Sequence, residues 1–161
     1  MLDPSPVEPI RMSVRVRRSV DEAFRIFTGD MTRWWPLDRL TFGPGRSSEV
    51  LMEPYIGGRF YERYRDGEEH TIGHVLEWQP PSRVAFTWQA PEWTAPTEII
   101  VCFIAEDART TRVELEHRGW ERLGAIGLER RDGYLNGWPA VLGNFVQVAG
   151  RADDSESETT R

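Results

Sequence analysis

The stretch GGRFYERYRDGEEHTIGHVLEWQPP, residues 57–81, decides the fold. It holds two runs of β-forming residues, 59–64 and 71–78, on either side of Asp66-Gly67, a dipeptide that is a strong hairpin signal. Two prolines close the second run. Further β runs follow at 83–89, 98–104 and 111–117. The pattern from Glu49 to His117 therefore predicts an antiparallel meander of about six strands.

One strand and two short helices are predicted before the meander. Residues 12–17 alternate apolar and polar side chains, which is typical of a half-buried strand at or near a sheet edge. Ser19 and Glu22 then have the spacing of a capping box at the start of a helix. The apolar residues that recur at helical spacing are Val20, Ala23, Phe24 and Phe27. A last helical turn over 32–35 should end at Pro36.

A long helix is predicted after the meander, from Asp132 to Val148. Its apolar stripe consists of Tyr134, Leu135, Trp138, Val141, Leu142, Phe145 and Val148. The glycines of this segment lower its helix propensity, so we expect packing to hold the helix, with the glycines allowing a close approach to a sheet. A strand, two helices, six strands and a long helix make an α+β order, which a curved antiparallel sheet around the last helix satisfies.

The length fits one domain, because 161 residues lie within the usual domain size. The first nine residues carry three prolines, and the last eleven are almost entirely polar. We therefore expect a mobile tail over 1–11, one domain over 12–149, and a disordered polar tail over 150–161.

Composition excludes several functional classes. The net charge of −6 argues against nucleic-acid binding, which needs clustered cations. All 20 basic residues are arginine, which excludes lysine Schiff-base chemistry and is typical of a GC-rich bacterial genome. Cys102 is the single cysteine and cannot form an intrachain disulfide. No apolar run is long enough to span a membrane and no signal peptide is evident, so we expect a cytoplasmic protein.

No motif for a cofactor or a metal is present. The segment 43–46 lacks both the Walker lysine and the Rossmann glycine spacing, so we expect no nucleotide cofactor. His70 and His74 lie about 13 Å apart along one predicted strand, too far to share a metal. No Gly-x-Ser-x-Gly elbow marks a hydrolase. We therefore expect no cofactor and no metal site.

Five blocks of sequence carry a family resemblance over roughly residues 12–149. They are WWP at 34–36, EPYIGGRF at 53–60, GHVLEWQPP at 73–81, TRVELEHRGW at 111–120 and GW at 137–138. With the predicted element order, they resemble the START-like or SRPBCC superfamily, also called the Bet v 1-like helix-grip fold. The closer resemblance is to the branch named after the activator of the heat-shock protein 90 ATPase. It implies a helix-grip α+β fold with a cavity between the sheet and the C-terminal helix.

The expected ligand site follows from this resemblance and from the predicted strand faces. The expected walls are Trp35, Phe60, Trp88, Val101, Phe103, Leu115, Trp120, Tyr134 and Trp138, with polar groups on Glu62, Tyr64 or His117 to orient the ligand. In one register Phe60, Glu62 and Tyr64 face inward; in the other, Arg59, Tyr61 and Arg63 do. Alternatively, the seven tryptophans simply fill a core.

Three functions are compatible with this site. The favoured one is a module that binds a small apolar, lipid-like or aromatic molecule, with no recognisable catalytic centre. The second is a cyclase or dehydratase of the polyketide type, in which Glu62 or His117 moves a proton. For His117, a structural role that holds the turn at Gly119 is favoured over this one. The third is a protein-binding domain related to chaperone activation. A homodimer is one expected oligomeric state.

Overall fold

The computed structural model describes residues 6–37, 41–43 and 45–159. Its strands are β1 (Ile10–Val16), β2 (Ser47–Met52), β3 (Arg59–Tyr64), β4 (Glu69–Gln79), β5 (Arg83–Trp88), β6 (Thr97–Asp107) and β7 (Thr110–Arg118). Its helices are α1 (Val20–Gly29), α2 (Met31–Trp34) and α3 (Gly127–Thr159), with a 3₁₀ segment at Trp120–Ile126 before α3.

The seven strands form one antiparallel sheet in the order β1-β7-β6-β5-β4-β3-β2. Six of them form the predicted meander, and β1 lies at an edge beside β7, as the alternation predicted. Irregular pairings interrupt four of the ladders, and such bulges bend a sheet and increase its twist. The sheet curls around the C-terminal helix. This confirms the predicted helix-grip architecture.

Helix α1 begins where its capping box predicts. The Glu22 amide donates to Ser19 Oγ at 3.2 Å, and the Ser19 hydroxyl donates back to Glu22 Oε1 at 2.9 Å. Phe24 and Phe27 lie on the buried face of α1, and both rings pack edge to face against Phe103 of β6 in the core. The helix therefore closes one side of the curved sheet.

Helix α3 differs from its prediction in length and in the role of its glycines. It begins at Gly127 rather than Asp132 and its backbone is helical to Thr159; disorder over 150–161 stays a prediction. Leu135 is 39% exposed, so it lies off the buried stripe. A Cβ added at Gly133, Gly137 or Gly143 would meet no atom within 4 Å. The expected close approach of these glycines to the sheet is therefore wrong; the glycines face open space.

In the part of the chain that the structure describes, the search for a helix able to cross a membrane finds none. In the same part, no three histidine, cysteine, aspartate or glutamate side chains come together as a metal-binding group.

Candidate functional site

A pocket of about 480 Å³ lies against helix α3. Its other walls come from the end of α2, from residues 41–42, and from the end of β5. The lining residues are Trp35, Thr41, Phe42, Trp88, Glu129, Arg130, Gly133, Tyr134, Gly137, Trp138 and Val141. Pockets for small molecules usually measure about 300–1,000 Å³, so this one has the size of a ligand site.

Stacked aromatic rings form the wall next to the helix. Trp35 and Trp88 lie 5.9 Å apart between ring centroids with an angle of only 28° between their planes. Phe42 and Tyr134 pack against Trp88 at 5.5 and 5.7 Å. Trp35 and Trp88 are 7% and 5% exposed, so only a small part of each ring borders the pocket. These rigid side chains lose little conformational entropy when a ligand binds.

The helical wall is formed by residues that share one face of α3. Arg130, Gly133, Gly137 and Val141 are three or four positions apart and so lie on the same side of the helix. Since no atom lies within 4 Å of a Cβ built at Gly133 or Gly137, the missing side chains leave room in the pocket. Two glycines thus widen the space in front of the tryptophans.

Tyr134 is the polar group at the centre of this wall. Its oxygen accepts a hydrogen bond from Trp88 Nε1 at 2.9 Å. Because that bond uses an oxygen lone pair, the hydroxyl proton remains available for another acceptor. Burial raises the pKa of Tyr134 to about 12, so the group stays protonated at neutral pH. Tyr134 therefore offers one donor in the pocket.

His117 lies behind the pocket and does not line it. Trp138 Nε1 donates to its Nδ1 at 3.1 Å, and an indole nitrogen can only donate. The imidazole is therefore the Nε2–H tautomer, and this nitrogen donates to Thr97 Oγ1 at 2.8 Å. Thr97 in turn donates to the Trp88 carbonyl at 2.9 Å.

These hydrogen bonds give His117 a structural role. Burial lowers the pKa of His117 to about 3, so the ring is neutral at pH 7. Through its two nitrogens it holds Trp138 directly and the Trp88 backbone by way of Thr97. Both ring nitrogens are occupied, and the arrangement fixes two walls of the pocket.

Glu62 also lies behind the walls, which answers the question of register. Phe60 and Glu62 are 0% and 1% exposed and point inward, while Arg59 and Arg63 pair with Glu69 on the opposite face. Glu62 Oε2 accepts the Phe42 amide at 2.8 Å. Burial, together with the nearby Glu62 carboxylate, raises the pKa of the Tyr64 hydroxyl. Glu62 thus holds the backbone of a pocket residue.

Four of the residues predicted from sequence line this pocket, namely Trp35, Trp88, Tyr134 and Trp138. Five others do not line it and are packed in the buried core, namely Phe60, Val101, Phe103, Leu115 and Trp120. Trp35, Trp88 and Trp138 belong to the same buried cluster and also border the pocket. Trp120 does not line the pocket, but its Nε1 donates to the carbonyl of His117 at 2.9 Å, behind the pocket wall. The filled-core interpretation therefore describes the middle of the sheet, and the pocket lies at its end.

Sequence reasoning missed the rest of the lining. Arg130, Gly133 and Gly137 could have been found by counting turns of helix from Tyr134. Phe42 lies in an irregular segment, where neither helical nor strand periodicity gives a signal.

Comparisons with known proteins agree on one family. The family model described as activator of Hsp90 ATPase homolog 1-like protein matches residues 17–150. Among solved structures, the anthrahydroquino-γ-pyrone synthase Txn09 is 30% identical, with a TM-score of 0.59 over 89% of this chain and 97% of its own. The self-sacrificing resistance protein CalC from Micromonospora echinospora is 29% identical, with a TM-score of 0.67 over 93% of this chain and 96% of its own.

More distant structures support the fold alone. A protein of Mesorhizobium loti is 17% identical, with a TM-score of 0.66 over 89% of this chain and 98% of its own. A comparison with functionally curated proteins gives no match. Since the family model spans most of the sequence and the helix-grip fold is present, the chain belongs to the activator of Hsp90 ATPase homolog 1-like family.

Proposed function

We propose that this protein binds a small, planar aromatic molecule in the pocket beside helix α3. The observation that carries the proposal is a pocket in which the stacked Trp35–Trp88 pair lies next to a helix face where Gly133 and Gly137 leave room. A flat ring system fits beside such a pair, and aromatic rings in offset contact gain about 0.5–1.5 kcal/mol per pair beyond buried area.

The name of one relative supports an aromatic ligand. The synthase that is 30% identical is named for an anthrahydroquino-γ-pyrone, a fused ring system. The likeness to this relative extends over 89% of the chain. We transfer the class of molecule, a fused aromatic, and no individual compound.

The tryptophans provide a direct test. The indole N–H signals of the seven tryptophans can be assigned by single Trp→Phe variants in ¹H–¹⁵N spectra. Titration with a soluble anthraquinone should shift the signals of Trp35, Trp88 and Trp138, which line the pocket. Trp78 serves as the internal control, because it packs on Phe24 away from the lining. Saturable shifts confined to the three pocket signals support the proposal; uniform shifts or none contradict it.

A second candidate function is catalysis in the same pocket, and the 30% identity to a synthase favours it. Neither Glu62 nor His117 lines the pocket, so we assign the catalytic contact to Tyr134. Its hydroxyl would donate to a substrate carbonyl and stabilise charge that develops there. The co-chaperone alternative rests on the family description alone.

The catalytic candidate has its own test. A polyketide substrate that cyclises to a fused pyrone is incubated with wild type and with Tyr134→Phe, and product is followed by absorbance. The proposal predicts turnover that falls about 100-fold or more in the variant, the size typical of acid–base groups. Binding without turnover would leave the binding function alone.

A further inference from the structure

The pocket has few polar groups, and most of them are already bonded. Trp88 Nε1 is bonded to Tyr134 and Trp138 Nε1 to His117, while the Thr41 hydroxyl donates to the Leu37 carbonyl at 3.3 Å. On the helical wall, the side-chain donors are the Tyr134 proton and the guanidinium of Arg130.

Arg130 is unusual among the arginines of this chain. Its Nε is buried and has no hydrogen-bond partner among the described residues, and no carboxylate there lies within salt-bridge distance of it. A buried N–H without an acceptor costs free energy, and the cost is larger for a charged group. An acceptor supplied by a ligand would remove this cost.

Arg130 and Tyr134 stand one helical turn apart on the face of α3 that lines the pocket. Side chains at this spacing are neighbours, with about 5–6 Å between their Cβ atoms. The bond from Trp88 to the Tyr134 oxygen polarises the hydroxyl and strengthens it as a donor. Two donors, one of them cationic, are thus close enough on this face to share one acceptor. The neighbouring Glu129 carboxylate is solvent-exposed, where water screens it.

We propose that Arg130 and Tyr134 together bind an anionic oxygen of the ligand, a carboxylate or a phenolate attached to the aromatic ring system. The inference rests on the proposed binding function and deepens it: the ligand is an aromatic acid rather than a neutral hydrocarbon or lipid. The rings lie on the tryptophan wall, and the oxygen accepts from the guanidinium and the phenol.

The test uses an anionic and a neutral probe with the same ring system, anthraquinone-2-carboxylate and its methyl ester. Both are titrated by calorimetry against wild type, Arg130→Gln and Arg131→Gln. Arg131 is the matched control, because it is the adjacent cation but bonds to the Glu8 carbonyl and Asp132 outside the pocket. Wild type and Arg131→Gln should bind the carboxylate about tenfold tighter or more than the ester. In Arg130→Gln this preference should fall to about twofold or less.

Ionic strength and the variant Tyr134→Phe distinguish the contribution of Arg130 to binding from that of Tyr134. Carboxylate binding should weaken with ionic strength in wild type and in Tyr134→Phe, and lose that dependence in Arg130→Gln. Equal affinity of wild type for both probes, or a preference that survives in Arg130→Gln, overturns the anchor while the binding function stands. If neither probe binds wild type, the proposed function fails and this inference with it.

Discussion

Gly137→Ala should stabilise the protein and weaken its ligand binding at the same time. Gly137 lies in the interior of α3 without a positive φ, and a Cβ there meets nothing within 4 Å. Alanine is therefore free of strain, and replacing glycine by alanine in a helix gains about 0.5–1 kcal/mol. For a domain of this size, that gain raises the melting temperature by about 1–4 °C.

The same methyl group occupies space in the pocket. Forcing an extra methyl into a filled site costs about 1–3 kcal/mol, so the affinity for a planar aromatic ligand should fall by about 5- to 150-fold. Gly143→Ala is the matched control, because Gly143 also has open space around its Cβ but does not line the pocket. It should give the same gain in stability with no change in affinity.

The measurements are the free energy of unfolding in urea and the dissociation constant of one anthraquinone for wild type and both variants. A loss of stability in Gly137→Ala would refute the packing argument. Equal affinities for the two variants would refute the location of the ligand.

Three further predictions concern the framework behind the pocket. Glu62→Ala should lower the free energy of unfolding, measured by urea titration, by about 1–3 kcal/mol, because the Phe42 amide loses its acceptor. Glu62→Gln keeps an oxygen at this position, so its loss should be less than half as large. The second prediction concerns His117, because burial lowers its pKa from 6.5 to about 3. Its contribution to the free energy of unfolding is complete above about pH 6.5 and is lost as the pH falls toward about 3. Between pH 7 and pH 5, wild type should therefore lose about 2 kcal/mol more than His117→Gln in urea titrations at the two pH values, and parallel losses would count against the buried neutral ring. Gly73→Ala should destabilise by about 3 kcal/mol or more in thermal melts, because its Cβ would lie 1.8 Å from the Thr87 carbonyl oxygen; a melt like that of wild type would contradict this contact.

The elements that follow local rules could be predicted from the sequence. The capping box placed the start of α1, and the hairpin dipeptide at Asp66-Gly67 placed the turn between β3 and β4. Each signal depends on neighbours within a few residues, so no tertiary information was needed.

The register of β3 depends on the rest of the fold. Residues 59–64 carry bulky side chains on both faces, so alternation alone allows either face to be buried. The choice is made by Phe86 and Trp88 of β5, whose rings contact Phe60, while stacking of Arg59 on Tyr61 covers the other face. These contacts are formed only in the folded sheet.

The site could be predicted only in part, because several of its features also depend on the folded structure. Trp35, Trp88, Tyr134 and Trp138 were found because large aromatic side chains are visible as candidates anywhere. Gly133 and Gly137 were interpreted as allowing close packing, since sequence does not distinguish a glycine that faces a sheet from one that faces a pocket. Arg130 resembled any other arginine until its unpartnered Nε was located.

The most direct test of the binding function is a crystal structure of the protein with anthraquinone-2-carboxylate. We predict ring density between the Trp35–Trp88 wall and the helix at Gly133 and Gly137, with the carboxylate at hydrogen-bond distance from Arg130 and the Tyr134 hydroxyl. An empty pocket in crystals grown at saturating ligand, or a ligand bound elsewhere on the molecule, would contradict the account.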